Sequence, residues 1–282
     1  MKGETNMRHY LKDKWLCVML CFLMASPFTT GCGKSPTGDD NTPPAVPPQG
    51  TMYVDFSFFK TNPTSHPIQP DAALTKFNFL TAFAVVTFFN AAVLVGLSIP
   101  AAATAAALSV EPTFESDGKF HWDFSYPETN PTLTLELTAR VRPSTVEWEM
   151  HVTSVTPVLN NFLWYDGVSA LDGKSGTWQF YDLNQPNQSV ETVFIEWEFV
   201  ADNDRNLTFT NVHEGAQGFG DILQYQVADA DVSMIFYQAT NEDSVHVNWN
   251  MTTGEGFIIA PEYNGGQKAC WDATQNDVAC PN

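Results

Sequence analysis

Residues 133–152 read LTLELTARVRPSTVEWEMHV, and this stretch decides the fold class because apolar residues recur at every second position. The alternation runs from Leu133 to Val141, stops at Pro143, and resumes from Val146 to Val152. A period of two places successive side chains on opposite faces of a β-strand. We therefore expect two antiparallel strands joined by a turn, each with one apolar and one polar face.

The same pattern continues on both sides of this pair. The clear runs are residues 119–126, 193–199 and 245–251, and the weaker ones are residues 162–165, 177–181, 207–212, 222–227, 232–237 and 256–260. Turn-forming Gly, Asp and Asn residues separate the runs at 166–167, 172–173, 202–204, 218–220 and 265–266. Residues 52–59 are expected to add an early strand.

One long apolar segment stands apart from the strands. Residues 77–99 read FNFLTAFAVVTFFNAAVLVGLSI without a charge, after which Pro100 interrupts the run and an Ala-rich stretch follows. A helix that is apolar all round is buried either in lipid or in the centre of a protein. Since a membrane span here would separate residues 52–59 from every later strand, we expect an internal helical segment at about 71–108. A transmembrane protein through 77–99 is the alternative.

These features together predict a mainly β fold. We expect a large antiparallel meander that forms a curved sheet or a (half-)barrel around one long apolar helix, because the apolar face of many strands needs a layer to cover it. A transmembrane β-barrel, in which the same alternation faces lipid, is a further alternative.

The aromatic inner face of this sheet is the candidate binding surface. A cavity between the sheet and the helix would hold an apolar molecule. The possible lining residues are Phe120, Trp122, Phe124, Trp148, Met150, Trp197, Phe199 and Trp249.

The first 50 residues differ in character from the rest. Four basic residues and an apolar run from Trp15 to Phe28 precede Thr29-Thr30-Gly31-Cys32, which is the order typical of a secretory signal peptide. Residues 33–50 hold five prolines and cannot bury a core. The cysteine after Thr-Thr-Gly resembles the lipobox of bacterial lipoproteins.

That resemblance implies cleavage before Cys32, lipidation of Cys32 and attachment to a membrane through the lipid. Gly33 after the cysteine implies the outer membrane of a two-membrane cell envelope. The predicted organisation is a signal peptide at 1–31, a lipidated cysteine with a Pro-rich tether at 32–50, and a single antiparallel β domain at 51–282. A plain secretory signal cut near Ala25 and an uncleaved anchor are the alternatives.

Charge excludes one class of partner. Residues 1–31 contain four of the 13 basic and two of the 32 acidic residues, so cleavage would leave 9 against 30 and a formal charge of −21. Nucleic acid is therefore not expected as a partner.

The cysteines indicate one disulfide bond. With Cys17 and Cys21 in the predicted signal and Cys32 as the lipid site, Cys270 and Cys280 remain as an even pair in an exported protein. We expect them to be joined, because exported domains favour disulfides and two ligands are too few for a metal site.

The sequence does not predict a catalytic site or a metal-binding site. The repeated Glu-Trp-Glu pattern at 147–149 and 196–198 places both carboxylates on the wet face of a strand, where they solvate it. His121, His151 and His246 lack metal-binding spacing, and no nucleophile elbow, phosphate loop or dinucleotide fingerprint is present. We predict no enzyme activity, no cofactor and no metal.

Two classes of function follow. The first is a non-enzymatic cell-envelope lipoprotein that binds an apolar ligand such as a lipid or an acyl chain. The second is a structural or interaction module at the cell surface with a protein or glycan partner. A cavity in the core would favour the first class, and a filled core would favour the second.

Overall fold

The computed structural model describes residues 42–61, 75–126, 133–201 and 203–281, and leaves out the side chains of residues 60, 61, 90–96 and 126. The predicted signal peptide and Cys32 lie outside these residues. The described residues belong to one compact unit at 41–282.

Three helical elements precede the strands in the described residues: a 3₁₀ turn at Gln49–Met52, α1 at Ser57–Thr61 and α2 at Phe77–Ala107. Another 3₁₀ turn, at Asn264–Gly266, lies between the late strands. The strands are β1 Thr113–Phe114, β2 Phe120–Tyr126, β3 Leu133–Val141, β4 Thr145–Ser154, β5 Leu159–Ala170, β6 Ser175–Tyr181, β7 Glu191–Ala201, β8 Asp204–Asn211, β9 Ile222–Ala228, β10 Asp231–Gln238, β11 Asp243–Asn250, β12 Gly256–Ile259, β13 Ala269–Trp271 and β14 Asp277–Val278.

The 14 strands found in the described residues form one antiparallel sheet in sequential order, from β1 to β14. The predicted antiparallel meander is confirmed. The sheet is not closed into a barrel: among the described residues, β1 pairs only with β2 and β14 only with β13. The prediction allowed a closed barrel, and that part of it is wrong. Each edge strand has two residues, too few to form a ladder with the opposite edge.

Burial follows the predicted alternation. In β4, Val146, Trp148, Met150 and Val152 are buried while the residues between them are partly or fully exposed. The same face of the sheet carries the large aromatic residues of the core. The predicted inward position of the tryptophans in the Glu-Trp-Glu runs is confirmed.

The turn predicted at 166–167 is wrong, because both residues lie inside β5. Gly167 pairs with Trp178 of β6, and a Cβ on Gly167 would lie 2.3 Å from the indole ring. The glycine therefore makes room for a tryptophan and does not break the strand. Gly176 of β6 pairs in the same way with Trp197, and Gly256 of β12 with Trp271.

The early strand predicted at 52–59 is also wrong. This stretch begins in the 3₁₀ turn, continues as extended backbone without a partner strand, and ends in α1. Its alternating apolar residues include Val54 and Phe56, which are buried in the core. Side-chain packing accounts for the alternation here, so the period-two pattern did not require a strand.

The long apolar segment forms α2, with Pro100 inside the helix. Residues 71–74 of the predicted helical segment, and the side chains of residues 90–96 in the predicted span at 77–99, lie outside the described residues. Within the part of the chain that is described, no helix has the length and apolar character needed to cross a membrane. The helix contacts β2 and β3 near one end of the strand order and β12, β13 and β14 at the other.

The last strands hold the start of α2. The Asp277 carboxylate accepts hydrogen bonds from the backbone N–H groups of Phe77, at 3.2 Å, and Asn78, at 2.9 Å, and from the Thr75 hydroxyl. These bonds satisfy N–H groups that a helix leaves free at its first turn. The predicted disulfide is confirmed: Cys270 and Cys280 are joined, with Cα atoms 5.2 Å apart.

Candidate functional site

The predicted lining residues lie on one face of the sheet, as the alternation requires. Six of them are buried with at most 3% of their surface exposed: Phe120, Trp122, Trp148, Met150, Trp197 and Trp249. Phe124 and Phe199 are half-buried and pack against the same core.

A segment from the start of the domain covers much of this face. We call residues 46–59 the inner segment. The Thr51 hydroxyl accepts a hydrogen bond from Trp178 Nε1 at 3.0 Å, and the Asp55 carbonyl accepts one from the Tyr225 hydroxyl at 3.1 Å. The first bond satisfies a buried indole N–H, and the second ties the inner segment to β9.

Aromatic rings continue this contact along the inner segment. The ring centroid of Phe56 lies 6.4 Å from that of Trp249, and those of Phe58 and Phe59 lie 6.3 and 5.0 Å from it. Phe56 also packs edge-on against Tyr225 at 6.0 Å. The chain itself therefore occupies the place that the sequence assigned to an apolar ligand.

α2 covers other parts of the same face. Phe79 packs edge-on against Trp271, with centroids 5.7 Å apart, and Phe89 lies 4.1 Å from Phe236. Further along the helix, the hydroxyl groups of Thr104 and Tyr165 share a hydrogen bond. When Tyr165 is the donor in it, the Thr104 hydroxyl donates to the Pro100 carbonyl. Burial raises the pKa of Tyr165, so this phenol stays protonated.

Little space remains between these layers. A cavity of about 20 Å³ lies between the inner segment, α2 and the sheet, with Thr51, Thr104, Trp148 and Trp178 among its lining residues. A single water needs roughly 10–15 Å³ of such space, whereas pockets for small molecules span about 300–1,000 Å³. The cavity has room for a water molecule between two hydroxyl groups and no room for an acyl chain.

A larger cavity opens on the outside, and it was not predicted from the sequence. We call it the surface groove; it has a volume of about 570 Å³ and lies between the first half of β5 and the loop from β6 to β7. Its lining residues are Val158, Asn160, Asn161, Phe162, Leu163, Tyr181, Pro186, Asn187 and Ser189.

The groove lies where β5 extends past the end of β6. β6 ends at Tyr181, and β5 pairs with it only from Tyr165 to Ser169. Before Tyr165, the residues of β5 with assigned partners are Leu159, Phe162 and Leu163, all paired with β4. Two register shifts, each adding one residue to β5, interrupt this ladder, and such bulges bend a strand. One side of this half-strand therefore faces the groove.

The groove presents neutral polar groups. Three asparagine side chains and a serine alternate with apolar surface from Val158 and Pro186, and no charged residue lines it. At its floor the Tyr181 hydroxyl donates to an Asp166 carboxylate oxygen at 3.1 Å. Burial, together with the negative charge of Asp166, raises the pKa of Tyr181 to about 12. This tyrosine is protonated at neutral pH and acts as a hydrogen-bonding group.

The charged outer face of the sheet is held by ion pairs. Glu147 pairs with Arg142 at 2.8 Å, and Glu149 pairs with Lys119. His121 lies between Asp117, at 3.2 Å, and Glu136, at 3.0 Å. Partial burial lowers the pKa of His121, but its hydrogen bonds to the two carboxylates outweigh this effect and raise the pKa overall.

These charged groups do not converge on a metal site. In the described part of the chain, no group of three or more His, Cys, Asp or Glu side chains is arranged to hold a metal ion. His246, on another part of the sheet, hydrogen-bonds to the Ser233 hydroxyl at 3.0 Å.

The comparisons with known proteins do not assign a family. No family model, curated protein or solved structure matches this chain. The candidate sites therefore rest on their own geometry: an aromatic inner face filled by the chain, and an open groove beside β5.

Proposed function

We propose that this protein is a lipid-anchored, non-enzymatic interaction module whose filled sheet is a scaffold and whose surface groove binds a partner. The observation that carries the proposal is the filling of the inner face by residues 46–59. Because Thr51, Asp55 and three phenylalanines already meet Trp178, Tyr225 and Trp249, a resident ligand would have to displace them.

The curvature of the sheet is also proposed. We infer that the sheet curves so that its two ends approach α2 from opposite sides. The contacts of α2 with β2 and β3, and also with β12 to β14, support this inference. The helix would then lie between the two edges of the sheet, β1 and β14, which would pair with each other in a closed barrel.

The anchor is proposed from the sequence. Cys32 would carry the lipid in the cell envelope, with the outer membrane as the expected location, and nothing but the tether would separate it from the domain. In the described end of that tether Pro47 is buried, and Gly50 lies against Phe199 and Arg205. These contacts suggest that the compact domain begins before residue 51.

The partner we propose for the groove is an extended polypeptide segment. Among the described strands, β5 has no partner on the side of β6 before Tyr165, so main-chain groups on that side would be available to a partner. Asn161, with a φ of 48°, interrupts the regular alternation there. A sheet edge of this kind binds an added strand through main-chain hydrogen bonds. A glycan would need an exposed aromatic ring to stack on, but Phe162 is only 7% exposed and Tyr181 is half-buried.

Organic extraction followed by mass spectrometry tests the filled interior. Protein purified from its own envelope should release no lipid in stoichiometric amount, because acyl chains bonded to Cys32 are covalently attached and stay with the protein during extraction. A bound lipid or free acyl chain at one per protein would instead favour carriage of an apolar ligand, with the inner segment displaced.

Hydrogen exchange tests the groove. The probe is a capped hexapeptide of alternating threonine and valine, and we expect it to slow amide exchange in residues 159–164. Asn187→Trp, which fills the groove, should abolish this protection, whereas Gln188→Trp, at the exposed neighbouring residue, should keep it. Protection by maltohexaose or cellohexaose but not by the peptide would replace the polypeptide partner with a glycan.

A further inference from the structure

One face of α2 is exposed and apolar. Phe77, Phe88 and Ile99 are 65%, 67% and 64% exposed, and Leu80 is 42% exposed. At about 100° per residue these four side chains fall within an arc of roughly 100° on the helix. We call them the apolar stripe.

The opposite face of the same helix packs in the core. Phe79, Ala82, Val86 and Leu97 are each at most 3% exposed. Both sides of the helix therefore carry large apolar residues, whereas an ordinary surface helix carries mostly polar residues on its outer side. Thr87 and Ser98 are also exposed on the outer side. No Asp, Glu, Lys, Arg or His occurs between Lys76 and Glu111.

We propose that the apolar stripe docks on a lipid bilayer, with the helix lying along its surface. The proposal rests on the proposed function, because the bilayer is the surface to which Cys32 would be attached. Nine residues lie between Cys32 and Thr42, where the described structure begins. The ten steps from one Cα to the next, at roughly 3.5 Å each in an extended chain, reach about 35 Å. The anchor would thus hold the domain beside the membrane.

The composition of the helix favours a bilayer over a protein partner. The core of a protein–protein interface is surrounded by a polar rim, and α2 supplies no charged residue to such a rim. Phe77 and Ile99 lie about 33 Å apart along the helix, at 1.5 Å per residue, and the side chains of residues 90–96 between Phe88 and Ile99 are outside the described ones. A long, uncharged stripe matches a flat apolar layer.

The stripe and the anchor would have different roles. Several acyl chains on one cysteine hold a protein on a membrane by themselves, whereas the stripe would fix which face of the domain meets the bilayer. The strongly acidic chain opposes binding to anionic headgroups. The proposed surface is therefore one for a neutral, zwitterionic bilayer.

Vesicle flotation tests the stripe without the anchor. Residues 33–282 contain the whole compact unit at 41–282 and can be prepared without Cys32. We expect this chain to float with phosphatidylcholine vesicles, and to float less when a third of the lipid is phosphatidylglycerol. Phe88→Glu and Ile99→Glu should each weaken binding about tenfold or more, since a charge enters the contact.

Val155→Glu is the matched control, because Val155 is 63% exposed on the turn between β4 and β5. This variant should bind as tightly as the parent chain. Absence of flotation, or flotation that Phe88→Glu leaves unchanged, overturns the proposal. A dimer in analytical ultracentrifugation that Phe88→Glu dissociates overturns it in favour of a second copy of the chain. Labelling of Cys32 with a fatty-acid probe in cells reports on the anchor separately.

Discussion

At the scale of single residues, buried polar atoms determine how the aromatic face is closed. The hydrogen bond from Trp178 Nε1 to Thr51 joins the sheet to the inner segment in a fully buried position. The indole nitrogens of Trp197 and Trp249 are buried without a hydrogen-bond partner among the described residues. The Thr51 bond is therefore one of few polar contacts on this face, and its removal should be measurable.

Thr51→Val should lower the free energy of unfolding by about 1–3 kcal/mol, because it leaves the buried Trp178 N–H unpaired. Thr51→Ser keeps the hydroxyl and loses one methyl group, so its cost should stay near 1 kcal/mol, about that of one buried CH₂. Urea unfolding followed by tryptophan fluorescence measures both values. Equal losses for the two variants would show that the hydrogen bond contributes nothing.

His121 should make stability depend on pH. Its pKa is raised in the folded protein by Asp117 and Glu136 against the opposing effect of burial. The stabilisation is therefore complete below the unfolded pKa of about 6.5, and it is lost as pH rises through the higher folded pKa. The difference in unfolding free energy between the parent chain and His121→Gln should shrink from about pH 5.5 to about pH 9. A difference that stays constant over this range would contradict the prediction.

Residue types predicted the inward faces well, but they did not predict the role of glycine. Asp166-Gly167 has the composition of a turn, yet Gly167 lies mid-strand beneath Trp178. Composition alone does not separate the two roles, because the deciding fact is which side chain stands on the next strand. The recurrence of the pair at Gly176 and Trp197 suggests a signal: a glycine among alternating residues with a tryptophan one hairpin away.

At the scale of elements, the last strands of the domain fix the start of α2. Asp277 of β14 caps the first turn of the helix, and Asn78 in that turn donates to the Cys270 carbonyl at 2.7 Å. The Tyr263 hydroxyl donates to the Asn78 side-chain oxygen. The disulfide at Cys270 and Cys280 fixes the strands from which these contacts come.

Asp277→Ala should cost about 1–2 kcal/mol of unfolding free energy, the range for loss of an N-cap. Asp277→Asn should cost less, because its amide oxygen can still accept a backbone hydrogen bond. Asp243→Ala, at an exposed position at the start of β11, is the control. Urea unfolding compares the three variants, and a loss for Asp277→Ala no larger than for the control would exclude a capping role.

The strands and α2 were predictable because each has a clear period or an extreme composition. The inner segment was not. Residues 52–59 alternate like a strand, and only their partners, among them Trp249 and Tyr225, reveal that they fill the sheet. The surface groove was equally hidden, because it depends on how far β5 extends past the end of β6 and on two register shifts between β4 and β5. Neither kind of information is contained in local sequence.

At the scale of the whole molecule, charge is strongly unbalanced. The chain has 13 basic and 32 acidic residues, and the ion pairs among the described residues involve only two carboxylates with Lys or Arg. Like charges repel one another across the surface of the folded protein. Screening of that repulsion should stabilise the fold.

The melting temperature should therefore rise when NaCl is increased from about 10 to about 150 mM, which shortens the Debye length from roughly 30 to 8 Å. The rise should be smaller near pH 4, where part of the carboxylates are protonated. Differential scanning calorimetry at both pH values measures the effect. A melting temperature that falls with salt at neutral pH would mean that attractive pairs outweigh the repulsion.

The capping of α2 by Asp277 has a consequence for how the protein is made. The helix start and its cap are separated by 200 residues in the chain. At a synthesis rate of about 5–20 residues per second, the cap emerges roughly 10–40 s after the helix. During that interval the inner segment and the apolar helix α2 lack the strands that cover them in the folded domain. A chaperone that shields nascent apolar segments would therefore matter for this protein until its last strand has been produced.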